Sequence, residues 1–172
     1  MNQNQPQEYQ PSLSGAGGNW QVIDEVVDPK VVQQQGDLSC GVASGEMLLA
    51  DRGINIEQRE IENLTGVPVS AQELANALNM LDTLNERPWR GGPLNLPGAT
   101  DFQLLEVLNS TGSWAAILWE TGVGIGHMVI VDGIDDTQCI LIRDPWEGTR
   151  YRMTKDDFLK HWTHHGVYRR IT

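Results

Sequence analysis

Basic side chains are scarce: 172 residues carry 12 Lys and Arg against 23 Asp and Glu, a formal charge of -11. No basic run exceeds Arg169-Arg170, so the chain has little to set against a phosphate backbone, and nucleic acid is not an expected partner. Long apolar runs are also missing, and no stretch approaches the roughly 18 residues that a membrane span requires. Met1 to Gly18 has neither a basic n-region nor an apolar h-region, which predicts a protein that is cytoplasmic or exported without a classical signal peptide. Cysteine occurs only twice, as Cys40 and Cys139, too few and too far apart for a disulfide framework. The imidazoles of His161, His164 and His165 lack a Cys or acidic partner at zinc-ligand spacing, so no metal and no cofactor is expected.

What remains is enough for one domain, since 40% of the residues are hydrophobic. Residues 1–18, rich in Asn, Gln, Pro, Ser and Gly, bury too little to offset ordering entropy and read as a disordered polar tail or linker. The folded domain is expected over 19–172.

Trp20 to Val27 reads as a short strand or extended arm. Val42 to Asp51 reads as a central helix buried on one face, with Gly53 as a C′ residue and Ala43, Met47 and Ala50 at helical spacing. Ile56 to Leu64 is a second helix. Ser70 with Glu73 has the capping-box pattern for a third, whose face is Ala71, Leu74, Ala75, Leu78 and Leu81. Residues 85–99, rich in Pro and Gly, read as an irregular loop lining the site, and Thr100 with Gln103 caps a fourth helix. From Ser113 the texture becomes β: Trp114–Trp119, His127–Ile134, Cys139–Arg143, Thr149–Met153 and Val167–Ile171, with a helix over 155–162 between the last two. A helical half followed by an antiparallel sheet is an α+β arrangement, and the cleft is expected where the halves meet.

Cys40 stands at that meeting point. It follows a polar turn, Gln33-Gln34-Gln35-Gly36-Asp37-Leu38-Ser39, and opens a helix, where unpaired N–H groups and the positive end of the peptide dipoles favour a thiolate. His127 opens one downstream strand and Asp144 closes another, so nucleophile, base and orienter follow in chain order. If the hairpin is symmetric about Asp135-Asp136, His127 lies directly across from Asp144, with Cβ atoms about 4.5 to 5.5 Å apart. Asp132, of opposite parity to His127, is excluded as orienter by strand alternation. Acyl transfer also needs oxyanion donors, and the Cys40 backbone N–H with the side chain of Gln34, or of Gln35 beside it, is placed to supply them. Cys139 opens an apolar strand and reads as packing. Trp146 stands next to the site and reads as core or as a wall of the cleft.

The Gln34-to-Cys40 spacing followed by Gly41, the Gly126-His127 strand, and Ile142-Arg143-Asp144-Pro145 followed by Gly148 resemble papain-like cysteine peptidases. They are most similar to the bacteriocin-processing (double-glycine leader) peptidase family and its stand-alone relatives. The similarity spans roughly residues 30–163. It implies a papain-like fold and hydrolysis of a peptide bond by Cys40, His127 and Asp144, with Gln34 completing the oxyanion hole. It departs from the family at Val42, where Pro is common, and at Met128, where an aromatic often follows the His. No transporter segments or ATPase motif accompany it.

The expected partner is a peptide or protein substrate. The same triad also suits a glutamine deamidase or an acyltransferase, in an effector or toxin that is part of a larger polypeptide. A non-catalytic peptide-binding module is the alternative of a different class.

Overall fold

The structure, a computed structural model, describes residues 12–84, 86–119 and 126–170. In chain order the elements are β1 (Ser12–Gly15), β2 (Trp20–Val27), α1 (Cys40–Ala50), α2 (Gln58–Thr65), α3 (Ala71–Leu81), β3 (Trp89–Pro93) and α4 (Asp101–Asn109). Then come β4 (Trp114–Trp119), β5 (Gly126–Ile134), β6 (Cys139–Asp144), β7 (Thr149–Thr154), α5 (Lys155–His161) and β8 (Trp162–Arg169). All strand pairs are antiparallel, in the order β1-β2-β7-β6-β5-β4-β8-β3. The α+β class is as expected, with helices on both faces of the sheet.

Strand alternation builds these two layers. Met128 and Ile130 of β5 pack with Val42, Leu49, Ile61, Leu74 and Leu78 from α1, α2 and α3. Val129 and Val131 point the other way, into a cluster with Trp20, Leu105, Trp114, Tyr151 and Phe158.

Local chemistry fixes the helix starts. The Ser70 hydroxyl accepts the Glu73 N–H at 3.1 Å while Glu73 Oε1 accepts the Ser70 N–H at 3.4 Å, and Thr100 and Gln103 reciprocate likewise at 3.1 and 2.8 Å. Thr154 Oγ1 caps α5 by accepting the Asp157 N–H at 3.1 Å.

Four expectations need correction. The tail does not extend to residue 18: Ser12–Gly15 pair with β2, and Ala16 is buried. Residues 1–11 lie outside those described. Helix α1 is buried nearly all round, at Gly41, Val42, Ala43, Ser44, Gly45, Met47, Leu48 and Leu49, whereas Ala50 is exposed. Residues 86–99 do not line the cleft: Trp89–Pro93 form β3, paired with β8 on the far edge of the sheet. Finally, β8 begins at Trp162, directly after α5, rather than at Val167.

Candidate active site

Cys40 is the first residue of α1 and half-buried; Cys139 is buried at the start of β6, and both thiols are free. Cys40 and His127 approach from opposite sides of the sheet and meet at the end of β5. Helix α1 packs on the Met128 side, so the Met128 N–H reaches the Cys40 sulfur at 3.4 Å. His127, one residue earlier, belongs to the other face. Its ring is hydrogen-bonded to the Cys40 side chain, and its Nε2 lies 2.7 Å from Asp144 Oδ1. With Nε2 on the carboxylate, Nδ1 is the ring nitrogen that serves the sulfur.

The expected register is not the observed one. His127 is not directly across from Asp144, because Ile130 pairs with Arg143 and Val131 with Ile142, which puts Val129 opposite Asp144. His127 is the diagonal neighbour, two residues away on the same face, within reach of a long side chain. The hairpin turns through Asp135–Gln138 rather than about two residues, and a bulge lies between Val131 and Gly133. Past the bulge, toward the turn, the pairs are Gly133 with Leu141 and Ile134 with Ile140. Continued unbroken, that register would turn His127 away from Asp144; the extra residue, Asp132, brings them back to one face. Asp132 itself points outward, accepting from Ser113 Oγ at 2.6 Å and from Arg143 Nε at 2.8 Å.

Asp144 is buried and receives three donors. His127 Nε2–H and the Trp146 backbone N–H, at 2.9 Å, reach Oδ1, and the Tyr151 hydroxyl reaches Oδ2 at 2.6 Å. Burial raises its pKa, but the His127 charge and these donors outweigh that and lower it below the ordinary carboxylate value. Burial likewise disfavours the His127 imidazolium, yet the Asp144 charge and hydrogen bond, with Cys40, raise its pKa to about 10. Both shifts favour the ionised form of the pair. The indoles of Trp20 and Trp146 flank the imidazole, with centroids 5.9 and 6.4 Å away.

Gln34 is buried and Gln35 is exposed. The Gln34 backbone N–H donates to Pro145 O at 2.7 Å, which ties the turn before Cys40 to the end of the Asp144 strand. Gln58, buried at the start of α2, holds the flanking residues by accepting the Gln35 N–H at 3.1 Å and donating to Gln33 O at 2.9 Å. Gln34 Nε2 donates to Gly36 O at 2.7 Å and Asp37 O at 3.3 Å, while its buried Oε1 has no hydrogen-bond partner among the described residues.

A cleft of about 640 Å³ opens over Cys40 and His127. Its walls include Leu38, Pro68 and Val69 on the helical side, Ile117 and Met128 on the sheet, and Ala16, Gly17 and Trp146. The histidines near the C-terminus have other neighbours: His161 packs on Trp20, His164 Nε2 lies 2.9 Å from Asp101, and His165 Nδ1 lies 3.2 Å from Thr163 O. Trp20, Tyr151 and Gln58 were not legible as site residues. For Tyr151 a signal existed: the tight turn from Asp144 to Thr149 puts it diagonal to Asp144 on the inward face of β7.

Residues 27–168 match the Peptidase_C39 like family. Cysteine protease effector 1 of Escherichia coli O1:K1:H7 is 42% identical over 156 residues, which cover 90% of this chain and 30% of that protein. The chain thus spans less than a third of the relative's length. Among solved structures, the peptidase domain of Streptococcus ComA, a bi-functional ABC transporter involved in quorum sensing, aligns with TM-score 0.64 at 18% identity, covering 82% of this chain and 97% of that one. A double glycine motif protease from an AMS/PCAT transporter, in complex with the leader peptide, aligns with TM-score 0.61 at 18% identity, covering 95% and 99%. At that identity the two structures speak for the fold.

Proposed function

From the premise that the chain belongs to the Peptidase_C39 like family and is a cysteine peptidase, we propose that it cleaves a peptide or protein substrate through a thioester formed on Cys40. The observation that carries this reading is the buried His127–Asp144 contact of 2.7 Å, with the other edge of the imidazole on the Cys40 sulfur. The Met128 N–H donates to the sulfur at 3.4 Å, and an imidazolium proton on Nδ1 would add a second donor, the arrangement a thiolate nucleophile requires.

Sγ attacks the scissile carbonyl carbon, and the carbonyl oxygen becomes an oxyanion. The Cys40 N–H and Gln34 Nε2–H donate to it, and on Gln34 it takes the place of Asp37 O, at 3.3 Å the more weakly bound of the two acceptors. As the intermediate collapses, the C–N bond breaks and His127 gives its Nδ1 proton to the departing amine. Water then attacks the thioester, losing a proton to His127, and the acid is released as Sγ regains its place beside the imidazolium. Asp144 keeps Nε2–H oriented throughout.

The substrate lies extended across the apolar walls of the cleft. Among the described residues, the carboxylates on its rim are Asp37 and Glu73, which suits basic side chains flanking the scissile bond. The catalytic unit begins at Ser12 rather than Asn19, because the turn after β1 contributes Ala16 and Gly17 to the cleft.

The test is mass spectrometry of basic peptides incubated with wild type and Cys40→Ala. New termini that depend on Cys40 support proteolysis. A gain of about one dalton without chain cleavage would assign the triad to amide deamidation instead, and products unchanged in Cys40→Ala would sink both.

A further inference from the structure

The triad is joined to the first long strand of the fold by two buried hydrogen bonds that peptide hydrolysis does not itself require. Trp20 Nε1–H donates to the Tyr151 hydroxyl at 2.9 Å, and that hydroxyl donates to Asp144 Oδ2 at 2.6 Å. Trp20 is 1% exposed, Tyr151 3% and Asp144 1%, so water cannot replace any member.

The direction of this chain is fixed. An indole nitrogen only donates, so it occupies a lone pair of the Tyr151 oxygen and leaves the single hydroxyl hydrogen for Asp144. Burial first, then the Asp144 charge and hydrogen bond, raise the Tyr151 pKa well above its ordinary value, and Glu25 adds to this, so the hydroxyl remains a donor at every working pH. The two carboxylate oxygens are thereby divided: Oδ2 is held by Tyr151, and Oδ1 faces His127 and the Trp146 N–H. A carboxylate restrained at both oxygens cannot rotate about its own axis, which an isolated His–Asp pair allows.

We propose that Tyr151 and Trp20 are positioning residues of the triad, and that their hydrogen-bond relay makes the alignment of Asp144 with His127 depend on β2 staying docked against β7. The proposal rests on the peptidase reading above. Cys40, His127 and Asp144 come from α1, β5 and β6, yet the relay adds the N-terminal arm to the catalytic unit. Trp20 acts twice, since its indole also packs beside the His127 ring. The titratable groups facing the relay are His127 and Cys40 at one end, Glu25 on β2, and His161 of α5 against the outer side of Trp20.

The test is the pH dependence of Cys40 alkylation by iodoacetamide, which needs no substrate, in the full chain as wild type, His127→Ala, Tyr151→Phe and Trp20→Phe. Wild type is expected to alkylate faster than His127→Ala. In Tyr151→Phe the His127-dependent rate falls about tenfold at the acid end of the profile, near pH 4, the scale of one hydrogen bond to a charged group. Its acid limb moves to higher pH, because Asp144 loses a donor that keeps it ionised. Trp20→Phe moves the limb the same way by less, and it carries the test if Tyr151→Phe does not fold. Folded variants whose limb superimposes on wild type overturn the relay and leave the peptidase reading standing, as does a rate lowered at every pH without a shift. If His127→Ala alkylates as fast as wild type, the peptidase reading fails, and the relay with it.

Discussion

His127 and Asp144 share a face of the sheet because one extra residue, Asp132, interrupts β5 between them and the hairpin turn. The contact at 2.7 Å is diagonal rather than directly cross-strand, and Arg143 ties the bulge down by bonding Asp132 on one side and Asp51 at the end of α1 on the other. One guanidinium thus adds a polar tie between the hairpin that carries base and orienter and the helix that carries the nucleophile, which also packs on β5 through Val42 and Leu49.

Replacing Asp144 by Asn keeps the shape and removes the charge. Three donors converge on this carboxylate, so an amide NH2 must face one of them. The expected cost is about 1–3 kcal/mol of stability, from a buried donor left without an acceptor. Turnover is expected to fall by about 10²- to 10⁴-fold, because the imidazolium loses its counter-charge and its orienter. Thermal unfolding reads the first effect and peptide hydrolysis the second.

The ion pair also sets a pH window for stability. His127 holds its proton to about pH 10 in the folded chain, against an ordinary value of 6.5. Between these values the folded state binds the extra proton, so the contribution is complete below 6.5 and is lost as pH rises through 10. Asp144 has the opposite sign: its pKa is lowered, so its contribution is present above the ordinary value of 3.8 and is lost as pH falls through the folded value. Melting temperature followed from pH 7 to 10.5 should drop more steeply for wild type than for His127→Gln. Equal slopes would mean that the pair is not ionised.

The elements that sequence made legible are those whose signals are local. The capping pairs Ser70 with Glu73 and Thr100 with Gln103 place α3 and α4, and alternation places β4 to β7. Strand β3 was missed because Trp-Arg-Gly-Gly-Pro has no alternation; it is a strand through its pairing with β8, a tertiary cause. Cys40, His127 and Asp144 were legible as residue types at the starts and ends of elements. Their register was not, because a bulge at Asp132 leaves no pattern in the hydrophobic period. Gln58 and Trp20 act through partners 23 and 131 residues away, a distance at which single-sequence periodicity says nothing.

Gln34 and Gln35 should separate cleanly. Gln34 faces inward with its backbone pinned by Pro145, while the Gln35 side chain is exposed. Gln34→Ala is expected to lower kcat on a peptide by about 10²- to 10³-fold, the usual effect of losing one oxyanion donor, and to leave Cys40 alkylation by iodoacetamide near wild type, since alkylation forms no oxyanion. Gln35→Ala should change neither rate. Equal losses of alkylation and hydrolysis in Gln34→Ala would mean that the side chain only supports the turn through Gly36 and Asp37.

Gly41, directly after the nucleophile, tests how closely α1 must approach the cleft wall. A Cβ there would run into the Val69 side chain, with Met128 Cε 3.7 Å away, so the helix lies against the wall without room for a methyl group. Nothing about the Gly41 backbone demands glycine, because its φ is ordinary for a helix and Ala has the higher helix propensity. Steric overlap therefore opposes propensity, and overlap wins: overpacking costs typically about 1–3 kcal/mol, propensity returns about 1 kcal/mol at most. Gly41→Ala should therefore lower the melting temperature and push α1 away from Val69, lengthening the path from Cys40 to His127. Pairing it with Val69→Ala removes the opposing methyl groups and should restore both stability and the alkylation rate. If the single variant is as stable and as reactive as wild type, the approach is looser than this packing requires; if the double variant fails to recover, the fault lies elsewhere in α1.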